Sequence, residues 1–277
     1  MSVVVAAIPA GNRLGRSSRL RFVKVSGLAL VAFALLAFVS PHFPSGNRPW
    51  ASSAPFMTIV ADAQSTGELG GKVTYEGTPK KFKPIDMSME PNCKKFYDTP
   101  PFPEASVTGP GNALQNVIVY ISEGAADEKA ATGPVIQITQ RGCRYTPHVV
   151  TAEAGQEVWI KNDDSVTHSI HPLAHTNAEW NRSQPPGTPP VVVRYDQPEF
   201  IRVKCELHPW MRGVLAVFKN SHHAVTDGNG SFTLPDLPPG KYTVTAWHET
   251  YGTVSKQVIV NAGESQALNF VFKVTPY

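Results

Sequence analysis

Cys205-Glu206-Leu207-His208-Pro209-Trp210-Met211 sets a thiol, an imidazole and a thioether at C-x2-H-x2-M spacing. Thirty-seven residues before Cys205, the stretch Val166-Thr167-His168-Ser169-Ile170-His171 supplies a further imidazole. One thiolate, two imidazoles and a weak axial thioether are the donors of a one-electron copper centre. Soft sulfur holds Cu(I), nitrogen suits Cu(II), and a geometry between the two preferences limits reorganisation. The rival reading joins His171 and His175 to Cys205 and His208 around zinc. Met211 is a poor zinc ligand and a Pro/Asn-rich loop is a soft scaffold, so copper is the stronger reading.

These donors need a rigid frame, and the chain offers strands. Candidates after the leader are Gly71–Tyr75 and Gln115–Ser122, then Val135–Thr139, Val149–Ala152, Glu157–Lys161, Val191–Tyr195, Phe200–Lys204 and Val214–Phe218. A last group spans Ser231–Leu234, Lys241–His248, Ser255–Val260 and Leu268–Lys273, punctuated by Asp227-Gly228-Asn229-Gly230 and Leu237-Pro238-Pro239-Gly240. The Pro- and Asn-rich stretch His171–Pro190 reads as a loop. Nothing beyond the leader sustains a helical period, so the expected class is all-β, of sandwich type.

The 277 residues suit two compact domains, and 21 Gly with 25 Pro at only 17% charged residues speak for short strands and turns. The formal charge of +3 comes from the N-terminal end, where residues 1–63 hold six Lys/Arg against one acid. Residues 64–277 carry 19 basic and 21 acidic side chains, a net of −2, which leaves no basic face for nucleic acid. Five basic residues precede the apolar run Val25–Val39, the pattern of a secretory signal. Export to the periplasm or beyond is expected, with residues 25–39 either removed or kept as a membrane anchor. An odd number of cysteines in an exported chain lets two pair and leaves one for other chemistry, and Cys205 is the one to explain.

The ligand stretch CELHPWMRGVLAVF resembles that of the cupredoxins, the blue copper proteins, and the amicyanins most among them. RYTPHVVTAEAGQEVWIKNDDSVTHSIH resembles the same family upstream, and together the likeness covers residues 134–219. His168, Cys205, His208 and Met211 match the family's four ligands, and His171 matches its non-ligand second histidine. The resemblance implies a type 1 copper ion and makes His208 the electron port, its ring edge in a solvent-facing patch completed by Pro209 and Trp210. Asn162 or a nearby backbone amide is expected to bond the sulfur or brace the His168 loop. An insertion near 172–190, Lys204 and Cys143 depart from the pattern and leave the partner surface unassigned.

The flanking blocks resemble a second family. Gly71-x-Val73-x-x-x-Gly77-x-Pro79 with NALQNVIVYI is similar to the opening of a carboxypeptidase-regulatory-like, transthyretin-type sandwich, and TDGNGSFTLPDLPPGKYTVTAWHE to its closing half. The implied organisation is a leader and linker over 1–63, a first part over 66–125, a cupredoxin domain over 134–219 and a second part over 222–277. Either one sandwich is interrupted by the other, or three modules follow in a row; a first module of this size would struggle to build its own core. On the interrupted reading Cys93 and Cys143 form a disulfide between host and guest. Cys143 with His148, and Trp247-His248-Glu249, are weaker metal candidates, and His222-His223 reads as a solvent-facing pair.

The expected function is one-electron transfer between redox partner proteins, not catalysis. G-x-S-x-G and C-x-x-C-H motifs are absent, as is a separate copper cluster for oxygen or nitrite. Copper buffering with the same ligands, and a structural accessory role, are the alternatives.

Overall fold

The computed structural model describes residues 65–127 and 133–274, so the leader and the apolar run 25–39 lie outside the described residues. Among the described residues no helix is long and apolar enough to cross a membrane. The described residues are all-β apart from the single turns Pro91–Lys94 and Pro110–Asn112.

Strands of the opening and closing blocks share the same sheets. Gly67–Gly77 pairs antiparallel with Ser231–Leu237 and parallel with Ser265–Ala267 and Phe270–Val274. Ile118–Glu123 pairs with Gly240–His248 and His223–Val225, and Gly252–Val260 closes that sheet. Leu69, Val73, Leu114, Val244 and Phe270 fill the core of this host sandwich. Strands from before and after residues 136–218 thus pair with one another. The turn before Ser231 needs glycine: Gly230 has φ +71°, and a Cβ there would lie 2.4 Å from the Val73 carbonyl.

Residues 136–218 form two sheets of their own. One runs Arg182–Gln184, His168–Leu173, Glu199–Lys204, Arg212–Phe218, Val149–Glu153; the other runs Val191–Arg194, Glu157–Asn162, Ile136–Gln140, Tyr145–Thr146. In Glu157–Asn162 the alternation is clean, with Val158, Ile160 and Asn162 inward and Trp159 and Lys161 outward. Arg182–Gln184 and the end of strand His168–Leu173 lie inside the stretch His171–Pro190 read from sequence as a loop, and Arg182–Gln184 pairs with His168, Ser169 and Ile170 just before it. Ladder hydrogen bonds from neighbouring strands override the poor strand propensity of those residues.

The run Val-Leu-Ala-Val-Phe at 214–218 is buried on both faces, for a reason sequence shows only as continuous apolarity. Leu215 and Val217 face the guest core, whereas Val214, Ala216 and Phe218 join Ile118 and Val149 in a cluster between the sandwiches. Phe200 stacks near Trp247 and Tyr120 near Phe218, each pair 4.9 Å between centroids. His223, in strand His223–Val225, stacks on Phe218, and His222 is buried, so this pair is not the solvent-facing one expected.

At this interface His148 bridges the Arg212 carbonyl and the Glu249 carboxylate, which occupies it away from any metal. His248 stands beside them, fully buried, and burial drives its pKa down to about 4. A histidine held neutral in the fold but free to charge in the unfolded chain stabilises above its unfolded pKa. That contribution fades as pH falls from about 6.5 toward 4 and totals about 3 kcal/mol. Unfolding midpoints measured across this window should fall for the native protein, and His248→Gln should flatten that slope. An equal slope in both would contradict the assignment.

Candidate metal centre

The ligand loop between Lys204 and Arg212 is closed by Cys205 N–H donating to the Met211 carbonyl (3.1 Å) and Met211 N–H donating to the His208 carbonyl (2.9 Å). This clamps Cys205, His208 and Met211 between two paired strands. His168 opens the adjacent strand. All four side chains are buried, none more than 3% exposed.

Nδ1 of His168 and Nδ1 of His208 face each other at 3.0 Å, and Cys205 Sγ lies 3.7 Å from the latter. The three donor atoms fall within 4.8 Å of one another. Met211 belongs to the same buried cluster as Cys205. Two ring nitrogens turned on each other beside a sulfur, in an apolar core, fit a soft or borderline cation. His171 turns elsewhere, between Glu206 and Glu179, and His175 is exposed, so neither completes a zinc set with Cys205.

Hydrogen bonds around the donors fix their states. Ser169 brings its N–H to 3.3 Å and its hydroxyl to 3.5 Å from Cys205 Sγ. Burial alone would push the thiol up, but these donors and the two imidazoles outweigh it and bring Cys205 down to about 5. Asn162 does not reach the sulfur: its Nδ2 donates to the carbonyls of Val166 and Gln184, and its Oδ1 receives Asp164 N–H. It braces the loop that presents His168. The expectation of a brace holds for the loop, while the sulfur's partner is Ser169.

Asp164 is the residue that sequence reasoning missed. Its carboxylate accepts from His168 Nε2 (2.8 Å) and from the backbone N–H groups of Gly142 and Cys143 (2.7 Å each). Those two amides converge because Gly142 and Cys143 are both left-handed, with φ +62° and +53°. The bonds hold the Asp164 carboxyl below its usual range despite burial, and raise His168 despite its own. Anchoring Nε2 leaves Nδ1 turned toward the other donors. The available signal was an acid four residues before the histidine.

The second departure is at His208. It is 2% exposed and presents no ring edge to solvent. Residues 78–107, which leave the host strand Gly67–Gly77, cross over the site and bury Ile85, Met87 and Cys93 in the guest core. Cys93 and Cys143 are joined by a disulfide, and Cys93 Sγ lies 3.6 Å from His208 Nε2. Trp210 donates to the Cys143 carbonyl at 3.1 Å, and Tyr97 to that of Gly142 at 2.8 Å. An electron port at the His208 edge, with Pro209 and Trp210 beside it, is therefore not what this chain builds: a cap from the host sandwich covers it.

A family model for the carboxypeptidase regulatory-like domain matches residues 214–273. Its first five residues lie in a strand of the guest sandwich, the rest in the closing block of the host. No curated protein sequence matches the chain. Among solved structures, the chain is similar to amicyanin from Paracoccus versutus at 17% identity, over 36% of this chain and 96% of that one, TM-score 0.28. It is similar to a purple cupredoxin from Nitrosopumilus maritimus at 22% identity, over 30% and 98%, TM-score 0.26. A copper-containing nitrite reductase from Thermus scotoductus SA-01 matches at 18% identity, over 35% of this chain but only 25% of that one, TM-score 0.30.

In the metal-free protein the ultraviolet absorbance of the Cys205 thiolate should grow in with a midpoint near 5. Asp164→Asn, which removes the charge steadying His168, should move that midpoint upward. A midpoint at the ordinary thiol value of about 8.5 would contradict the hydrogen-bonded thiolate. Replacing Cys93 and Cys143 together by Ser should lower stability by about 2–4 kcal/mol, read from denaturant unfolding, because the bridge closes a separation of 50 residues.

Proposed function

We propose that this protein is an exported one-electron carrier with a single copper ion held by His168, Cys205, His208 and Met211. The observation that carries the reading is the buried trio of facing Nδ1 atoms and a hydrogen-bonded thiolate. Copper bound there supplies reversible one-electron chemistry. The chain's own residues do the rest. Asp164 fixes the tautomer and orientation of His168, Ser169 donates to the sulfur, and Asn162 sets the loop between them. Burial excludes water and limits rearrangement of the donors between oxidation states. The signal-like leader supports a periplasmic or secreted site of action, freely diffusing or anchored through residues 25–39, with redox proteins as donor and acceptor.

Copper buffering with the same residues would require quick release, which enclosed donors oppose. Cu(I) should pass to an external chelator slowly, and transfer within seconds would favour the buffering role. Cys205→Ser should abolish the thiolate-to-copper absorption of the Cu(II)-loaded protein. Met211→Leu should keep copper bound and shift the midpoint potential. Retention of the blue band in Cys205→Ser would exclude the assigned thiolate.

A further inference from the structure

With all four proposed ligands buried, an electron must leave through the protein, and the structure limits where. The outward nitrogen of His168 is taken by Asp164. The outward nitrogen of His208 meets Cys93 Sγ at 3.6 Å, and Cys93 lies in the turn Pro91–Lys94, whose neighbours Lys94, Lys95 and Phe96 are exposed. From the ring of His208 one route therefore runs through the fully buried Cys93 to the exposed Lys94 on the cap, and the other neighbour of the ring is Trp210, at 5.2 Å between centroids.

The cap's outer face has the character of a docking surface. A groove of about 290 Å³ lies between Pro84–Ser88 and Lys94–Pro100, with Ile85, Met87 and Tyr97 among its lining. Met89 stands beside these residues in sequence, 88% exposed, as does Phe96 at 42%. Charge is concentrated here as well. Residues 80–98 hold five lysines, all exposed, against Asp86, Glu90 and Asp98, while the remainder of 64–277 holds 14 basic and 18 acidic residues. The groove itself is lined by Lys94 with Asp86 and Asp98, and the exposed lysines of the surrounding segment leave residues 80–98 positive on a body of opposite sign, which orients an encounter with an acidic partner. By contrast, Leu207 on the ligand loop is exposed but has Glu206 next to it and Glu179 close by, bridged through His171.

We propose that the cap, residues 80–98, is the electron-exchange surface of this protein and that it receives a redox partner presenting an apolar patch rimmed by carboxylates. The proposal rests on the copper-carrier reading. One electron passes from Cu(I), leaving Cu(II), to a one-electron acceptor on the partner. No bond forms or breaks, no proton need move, and the Cys93–Cys143 disulfide stays oxidised throughout.

The test uses hexacyanochromate(III), a redox-inert paramagnetic trianion, as a stand-in for the carboxylate rim. Amide resonances of the full protein are followed with it in both the metal-free and Cu(I) forms. Line broadening confined to residues 80–98 is expected, and broadening centred on the ligand loop around Leu207, or none, would overturn the proposal. Hexacyanoferrate(III), reduced to hexacyanoferrate(II) by the Cu(I) protein, supplies the kinetic arm. The double variant Lys94→Glu/Lys95→Glu should be oxidised about tenfold more slowly at low salt, with its blue spectrum unchanged and Lys241→Glu on the host sandwich as control. Equal rates for the double variant and Lys241→Glu would also overturn it. A chain that binds no copper defeats the carrier reading, whereas the metal-free broadening map still decides whether the cap is the anion-facing surface.

Discussion

Two imidazole nitrogens and a thiolate turned toward one another inside a dry core set the terms for the rest of this structure. Buried donors and acceptors must be satisfied, and a buried thiolate needs positive charge or hydrogen bonds close by. In the metal-free chain the two rings share that duty with Ser169, and Asp164 holds the His168 ring in place. A cation at the same point would satisfy all three at once. The remaining architecture keeps these groups from relaxing into other arrangements.

Restraint comes from both sandwiches. The guest supplies the strand pair that clamps the ligand loop, and the left-handed Gly142–Cys143 turn aims two amides at Asp164. The host contributes the crossing segment that seats Cys93 against His208. A disulfide joins the two contributions, so one covalent link borders the outer side of both histidines: Cys143 through its backbone N–H, which donates to the Asp164 carboxylate, and Cys93 through its sulfur. The order of strands in the chain makes this possible, because residues just before the guest strands are close enough to cover the buried donors.

Much of this was legible in the sequence. Alternation and turn residues were enough to mark most strands of both sandwiches, and the spacing of Cys205, His208 and Met211 singled out one loop. The chain order of two half-motifs around a third block suggested the interruption. Other features depend on contacts between distant residues. Strands His168–Leu173 and Arg182–Gln184 exist because they pair, in residues whose own propensity is poor. Asp164 gains its role only when the 142–143 turn folds back over it, and His208 is hidden by residues more than a hundred positions away. His222 and His223 looked like a polar linker until Phe218 was placed under one of them.

On the proposed reading, a sulfur and two nitrogens already in place hold copper in both oxidation states. X-ray absorption at the copper edge tests it directly, on the Cu(II)-loaded and Cu(I)-loaded protein. One short sulfur and two nitrogen scatterers should appear in both states, with their distances nearly unchanged. A Cu(II) spectrum built only from nitrogen and oxygen, or the loss of a nitrogen on reduction, would contradict it.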